Sequence, residues 1–104
     1  MTNVLIYGRW RLKDGRQEAA LVDLMRTAMV PQYQKYGNRV ELSLLRVADS
    51  QSYLVLQRWP SRKDWEEFPT SLFYEIWFAE YEPILERWDE LMELEEEWEC
   101  EELL

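Results

Sequence analysis

The segment NVLIYGRWRLK, residues 3–13, has the pattern of a β-strand with apolar side chains on both faces. β-Branched and aromatic residues dominate it, as is typical of strands. Alternation places Val4, Ile6, Gly8 and Trp10 on one face and Leu5, Tyr7, Arg9 and Arg11 on the other. Such a strand belongs to a sheet that is covered on both sides, by helices or by another subunit. A glycine inside a strand marks a bulge or a close approach of another group, and Gly8 predicts one or the other.

The next segment predicts a helix and then a hairpin. Asp14 is the expected N-cap of the helix, and Pro31 is expected to end or kink it near residues 29–30. Apolar residues at helical spacing supply its buried stripe. The following pattern predicts a second strand over 39–47 and a third over 53–59.

A strand-to-helix corner follows in RWPSRKDWEEF, residues 58–68. Pro60 cannot continue the strand, and Ser61 is a favourable N-cap with Asp64 three residues later. We expect the second helix to begin there, to break at Pro69 and to restart near residue 71. A short helical piece over 83–92 and a fourth strand over 96–101 complete the chain.

The order β-α-β-β-α-β is that of the ferredoxin-like fold, an α+β class with a four-stranded antiparallel sheet and both helices on one face. At 104 residues the chain is expected to form one domain, 1–104. The sheet face without helices would remain bare although it carries apolar residues. A second copy of the chain, packed sheet to sheet, is the simplest cover, which predicts a homodimer.

Composition excludes several kinds of site and partner. The chain has no histidine, so a His-ligated zinc site, a His-ligated haem and a Ser-His-Asp triad cannot form. Its single cysteine, Cys100, fits a reducing compartment, and no apolar run is long enough for a bilayer, which predicts a cytoplasmic protein. The net charge of −9 arises within residues 86–104, where ten acidic side chains accompany one basic side chain. Such a segment repels nucleic acid and anionic membranes, so neither is expected as a partner.

The segments YGRWRLKDG, VELSLLRVADSQSYLVLQRWPSRKDWEEF and WECEELL resemble the dimeric α/β barrel superfamily, in particular its antibiotic biosynthesis monooxygenase-like domains. The resemblance implies a homodimer whose two sheets form a barrel, with a pocket between sheet and helices in each subunit. Active members oxygenate electron-rich phenols, anthrones or quinols without flavin, haem or metal, so no cofactor is expected. A haem-degrading branch uses an Asn, a Trp and a His, and their positions correspond here to Gly8, Phe68 and about Phe78, which argues against that activity.

The resemblance directs attention to residues that could bind a flat aromatic ring. Gln57, Tyr53 and Trp59 on the third strand are the candidate catalytic residues: Gln57 as a hydrogen-bond donor to a carbonyl, Tyr53 as a hydroxyl near the pocket. The candidate substrate-binding residues are Gly8, Trp10, Trp65, Phe68, Tyr74 and Trp77. An aromatic residue at helical or strand spacing is more often part of the core than of a site, and no residue stands out as the proton-abstracting base.

Two hypotheses about function therefore remain. The chain is either a cofactor-independent monooxygenase of a small aromatic polyketide or quinol, or a non-catalytic dimeric module that binds a small ligand or a partner protein. Convergence of Gly8, Gln57, Tyr53 and Trp59 on one cavity would favour the enzyme.

Overall fold

A computed structural model describes residues 2–104. Four strands form one antiparallel sheet: β1 Val4–Leu12, β2 Glu41–Arg46, β3 Ser52–Trp59 and β4 Met92–Glu101. Their spatial order is β2-β3-β1-β4, and the helices cover one face. The predicted ferredoxin-like arrangement is confirmed.

The fourth strand is longer than predicted, since it begins at Met92 instead of residue 96. Antiparallel pairing with β1 explains the difference, because Leu12 pairs with Met92 at one end of the ladder and Val4 pairs with Glu101 at the other. The register shifts between Arg9 and Trp10, which leaves one extra residue in β4, as in a β-bulge. Pairing overrides the helix propensity of the glutamate run.

The first helical region consists of α1 Glu18–Leu24, a π-helical turn Met25–Met29, α2 Val30–Tyr33 and a 3₁₀ turn Lys35–Gly37. The prediction that Asp14 is the N-cap is wrong, because α1 begins at Glu18 and its N-cap residue is Gln17. Gly15 has a φ of 78°, which ends β1 in a turn before the helix starts. Pro31 follows directly after the π-helical turn, in which the N–H of Val30 donates to the carbonyl of Met25. The helix is therefore distorted before Pro31 but does not end there.

The corner after β3 forms as predicted. Ser61 Oγ accepts a hydrogen bond from the backbone N–H of Asp64 at 3.1 Å and caps α3, Arg62–Glu67. Pro69 lies in a 3₁₀ turn, Phe68–Thr70, which ends α3.

The last helix is one continuous element, α4 Tyr74–Leu91, where two pieces were expected. Pro83 lies inside it and cannot donate the usual bond to the carbonyl of Ala79. Both residues are exposed, so water can satisfy that carbonyl and the helix continues.

The core lies between the sheet and the helices, and Trp88, Leu21, Leu24 and Met92 are its most deeply buried large side chains. The opposite sheet face, here called the open face, carries the apolar or aromatic side chains of Leu5, Tyr7, Leu45, Leu54, Leu56 and Trp98 and the charged side chains of Arg9, Arg11, Glu41, Arg58 and Glu96. Tyr7 and Trp98 stack on it with ring centroids 5.3 Å apart, and Leu45 is 48% exposed. The domain is only 19 Å thick along its shortest axis, which fits one sheet and one helical layer.

Candidate functional site

A cavity of about 80 Å³ lies between the helices and the centre of the sheet, and is called the helix-side cavity below. Its lining comprises Ile6, Tyr7, Gly8, Trp10, Met25, Met29, Tyr33, Leu42, Val55, Gln57, Tyr81, Leu85, Trp88 and Glu97. Most of these side chains are apolar or aromatic. A few polar groups in an apolar enclosure are typical of ligand sites.

Gly8 and Trp10 form one corner of this cavity. They are two residues apart on the same face of β1, and the indole of Trp10 folds back over the glycine. A Cβ atom added at Gly8 would lie 2.5 Å from Trp10 Nε1, a severe clash. The close approach that the glycine predicts is therefore the Trp10 side chain, which occupies space that a larger residue 8 would take. The indole also meets Trp88 edge to face, with centroids 5.3 Å apart.

Three neutral polar side chains line the cavity: Gln57 on β3, Tyr33 at the end of α2 and Tyr81 on α4. Burial raises the pKa of Tyr33 well above its usual value, and the neighbouring Tyr81 adds to the rise. Burial also raises the pKa of Tyr81. Both hydroxyls therefore stay protonated at neutral pH and can donate hydrogen bonds.

Gln57 is oriented by its neighbour on the strand. The indole N–H of Trp59 donates to Gln57 Oε1 at 3.0 Å. With its oxygen engaged, the amide keeps its NH₂ group for other acceptors. Trp59 itself is buried and lies outside the lining of the cavity.

A carboxylate stands on the rim of the cavity. Glu97 is exposed, pairs with Gly8 across the β1–β4 ladder and belongs to the lining. The sequence analysis missed Glu97 because it lies within a run of glutamates. Which of these glutamates face the helices can be assigned only once β4 is known to start at Met92. Tyr33 and Tyr81 were missed as well, because each looks like an ordinary helical core residue.

Several predicted site residues lie elsewhere. Trp59 and Phe68, with centroids 5.3 Å apart, line a separate depression of about 220 Å³ at the strand-to-helix corner, together with Gly37, Asn38, Arg39, Pro60, Asp64, Glu67 and Ser71. Tyr53 is buried at the far end of β3, and its hydroxyl donates to Glu18 Oε1 at 2.8 Å. Of the four residues whose convergence would favour an enzyme, Gly8 and Gln57 meet in the helix-side cavity, whereas Tyr53 and Trp59 do not line it.

The remaining three predicted aromatics have other surroundings. Trp77 is 3% exposed, and its N–H donates to the backbone carbonyl of Gln32 at 2.6 Å. Tyr74 lines a shallow groove on the outer side of α4. Trp65 is half-buried, with the guanidinium of Arg62 over its ring at 5.9 Å from the centroid. Only Trp10 among the predicted aromatic wall lines the helix-side cavity.

Solved structures share this architecture over almost the whole chain. SnoaB from Streptomyces nogalater, a cofactor-independent oxygenase, superposes with a TM-score of 0.67 at 14% identity, over 96% of this chain and 92% of that one. HapK from Hahella chejuensis gives a TM-score of 0.70 at 14% identity, over 96% and 92%. A protein from Chloroflexus aurantiacus with a proposed assignment as an antibiotic biosynthesis monooxygenase superposes with a TM-score of 0.55 at 13% identity. The match covers 97% of this chain and 93% of that one. The chain therefore has the same fold as these three proteins.

Sequence comparison adds no closer relationship: no protein-family model matches the chain, and no curated protein is significantly similar to it. Within residues 2–104, no helix has the length and hydropathy needed to cross a bilayer. In the same part of the chain, no group of three acidic or thiol side chains is arranged to hold a metal ion.

Proposed function

We propose that the protein is a cofactor-independent oxygenase of a small, electron-rich aromatic substrate, of the phenol, quinol or anthrone class, which binds in the helix-side cavity. One observation carries this proposal: the apolar cavity brings the donors Tyr33, Tyr81 and Gln57 together with the carboxylate of Glu97 on its rim. The fold shared with SnoaB supports the reaction class.

Each group has a role in this chemistry. Glu97 accepts the proton whose loss converts the substrate into an electron-rich anion. The hydroxyls of Tyr33 and Tyr81 and the amide of Gln57 donate hydrogen bonds to the oxygen that carries the negative charge. The anion reduces O₂, a carbon–oxygen bond forms, and loss of water from the resulting hydroperoxide leaves a carbonyl. One oxygen atom thus remains in the product and the other leaves as water.

The proposal retains Gly8, Trp10 and Gln57 from the sequence-based candidates and gives Trp59 a positioning role through its bond to Gln57. Tyr53, Trp65, Phe68, Tyr74 and Trp77 have no direct part in it.

Oxygen uptake with metal-free protein and a panel of anthrones and naphthoquinols tests the activity. We expect saturable uptake above autoxidation, and a decrease of at least about 100-fold in kcat for Glu97→Gln, the usual effect of losing a general base. Glu99→Gln is the matched control, because Glu99 is one pleat further along β4, faces Arg62 and does not line the cavity. Equal rates in the two variants would contradict the role of Glu97.

The alternative of a non-catalytic ligand-binding module is favoured by the position of Glu97. Among residues 2–104 it is the one carboxylate in the lining of the cavity and it is exposed to solvent, whereas the other polar groups of the lining are neutral. Quenching of tryptophan fluorescence by the same panel without oxygen uptake would support this alternative.

We further propose that two copies associate through the open face, since a sheet face with exposed Leu45 and Trp98 is unusual for a monomer. The single cysteine, Cys100, supports the cytoplasm as the proposed compartment.

A further inference from the structure

The helix-side cavity is too small for the ligands that its chemistry suits. Its volume is about 80 Å³, whereas an engineered dry cavity that holds benzene measures ~150 Å³. Ligand pockets usually measure ~300–1,000 Å³. A side chain must therefore leave the cavity before an aromatic ring enters.

Trp10 is the least buried of the four aromatic residues that line the helix side of the cavity, Trp10, Tyr33, Tyr81 and Trp88. Tyr33, Tyr81 and Trp88 are buried and fixed within the core, whereas Trp10 is half-buried. Among residues 2–104, the indole N–H of Trp10 forms no hydrogen bond, so no polar contact holds this ring in place. The Trp88 indole also lacks one within this range, but Trp88 is only 1% exposed and is held by packing.

The backbone beside Trp10 is also irregular. The register of the β1–β4 ladder shifts between Arg9 and Trp10, directly next to this residue. The extra residue lies in β4, so regular pairing is interrupted opposite Trp10, and bulges are common next to functional sites. Gly8, two residues away, supplies the space in which the indole now lies.

We propose that the Trp10 side chain is the gate of the helix-side cavity and sets the size of the ring system it admits. The ligand replaces the indole over Gly8, so a fused two-ring phenol requires a larger displacement of Trp10 than a single ring does. Trp10 is thereby a specificity-determining residue. This inference rests on the proposed function for its ligand class, but its test needs no turnover.

The test measures equilibrium binding of two redox-stable probes, phenol and 2-naphthol, by calorimetry under argon. Trp10→Ala is expected to bind 2-naphthol at least about tenfold more tightly than the unmodified protein, while phenol changes by less than about threefold. Phe73→Ala is the control, since Phe73 is an exposed aromatic of the α4 N-terminus that does not line the cavity. It should leave both affinities unchanged. Equal changes for the two probes in Trp10→Ala, or no binding of either probe, would overturn the proposal.

A second measurement keeps the proposal testable if Trp10→Ala folds poorly. Protein labelled with 5-fluorotryptophan gives a fluorine resonance for Trp10, which Trp10→Phe assigns. Saturation with 2-naphthol should shift this resonance, and Gly8→Ala should shift it without ligand, because the added methyl would lie 2.5 Å from Nε1. Binding of 2-naphthol that leaves the Trp10 resonance unmoved would refute the gate.

The outcomes separate the gate from the oxygenase. A gate that responds to ring size without oxygen uptake would support the inference and contradict the proposed reaction. Oxygen uptake with the same ring-size preference in Trp10→Ala as in the unmodified protein would support the proposed reaction and contradict the gate.

Discussion

Replacing Trp77 by phenylalanine tests whether this residue belongs to the core or to the binding site. Trp77 is 3% exposed, and its N–H donates to the carbonyl of Gln32, while the Gln32 amide donates to the carbonyl of Trp77 at 3.1 Å. This reciprocal pair joins α4 to the last turn of α2, where helical carbonyls lack partners along the helix. Trp77→Phe removes both packing volume and the only donor of the side chain.

The expected loss is the sum of two contributions. Removing Trp or Phe side chains entirely costs about 3–5 kcal/mol, so the smaller truncation to Phe should cost roughly 1–2 kcal/mol. Leaving the buried carbonyl of Gln32 without its indole donor adds about 1–3 kcal/mol. The free energy of unfolding should thus fall by about 2–5 kcal/mol, a large part of the ~5–15 kcal/mol of a domain of this size.

Urea denaturation at fixed protein concentration measures this loss, with a midpoint shift on the order of 1–2 M. Trp88→Phe is the matched control, because Trp88 is 1% exposed and makes no contact with the Gln32 carbonyl. We expect Trp77→Phe to destabilise more than the control by the hydrogen-bond contribution, and 2-naphthol affinity to be retained below the transition. Equal losses in the two variants would refute the reasoning about the bond.

Three further predictions concern the fold and its surfaces. Ser61→Ala should lower the free energy of unfolding by about 1 kcal/mol through loss of the α3 cap, and an unchanged urea midpoint would contradict this. Hydrogen bonds from Arg46 and Tyr53 hold the pKa of the Glu18 carboxyl at about 2, below its value in the unfolded chain. The ionised carboxylate therefore stabilises the folded protein above pH ~4.3, and this contribution is lost as the pH falls towards 2. Glu18→Gln should therefore show a shallower loss of thermal stability on acidification, and parallel curves would be the contrary result. Light scattering of the unmodified protein should give a mass of twice the 12.8 kDa chain mass. Leu56→Glu on the open face should reduce this mass to that of a monomer, whereas the control Leu72→Glu on the helical side should leave it unchanged. A monomeric unmodified protein would refute the sheet-to-sheet dimer.

The local chemistry of the sequence predicts most of the fold. The corner at Pro60 and Ser61 forms as expected, because a proline after a strand and a serine before a helix each restrict the backbone directly. The errors lie where tertiary contacts outweigh local preference. Pairing with β1 draws Met92 into a strand, and an exposed Pro83 does not interrupt α4.

The candidate site was harder to predict for a related reason. Strand alternation was enough to select Gly8 on β1 and Gln57 on β3 as residues of the pocket face. The side-chain rotamer that places the Trp10 indole over Gly8 cannot be deduced from the spacing of residues along the strand. Glu97 reaches the cavity only because a ten-residue strand pairs it with Gly8. Membership of a cavity depends on the packing of several elements at once, and a pattern along one element does not contain that information.

The acidic strand β4 also bears on how two copies of the protein could pair. It is an edge of the sheet, so one side of its backbone is free to pair with a further strand. This strand carries Glu96, Glu97 and Glu99, and two β4 edges in contact would bring like charges close together. The charge excess thus disfavours β4-to-β4 pairing, in which two molecules would form one continuous sheet.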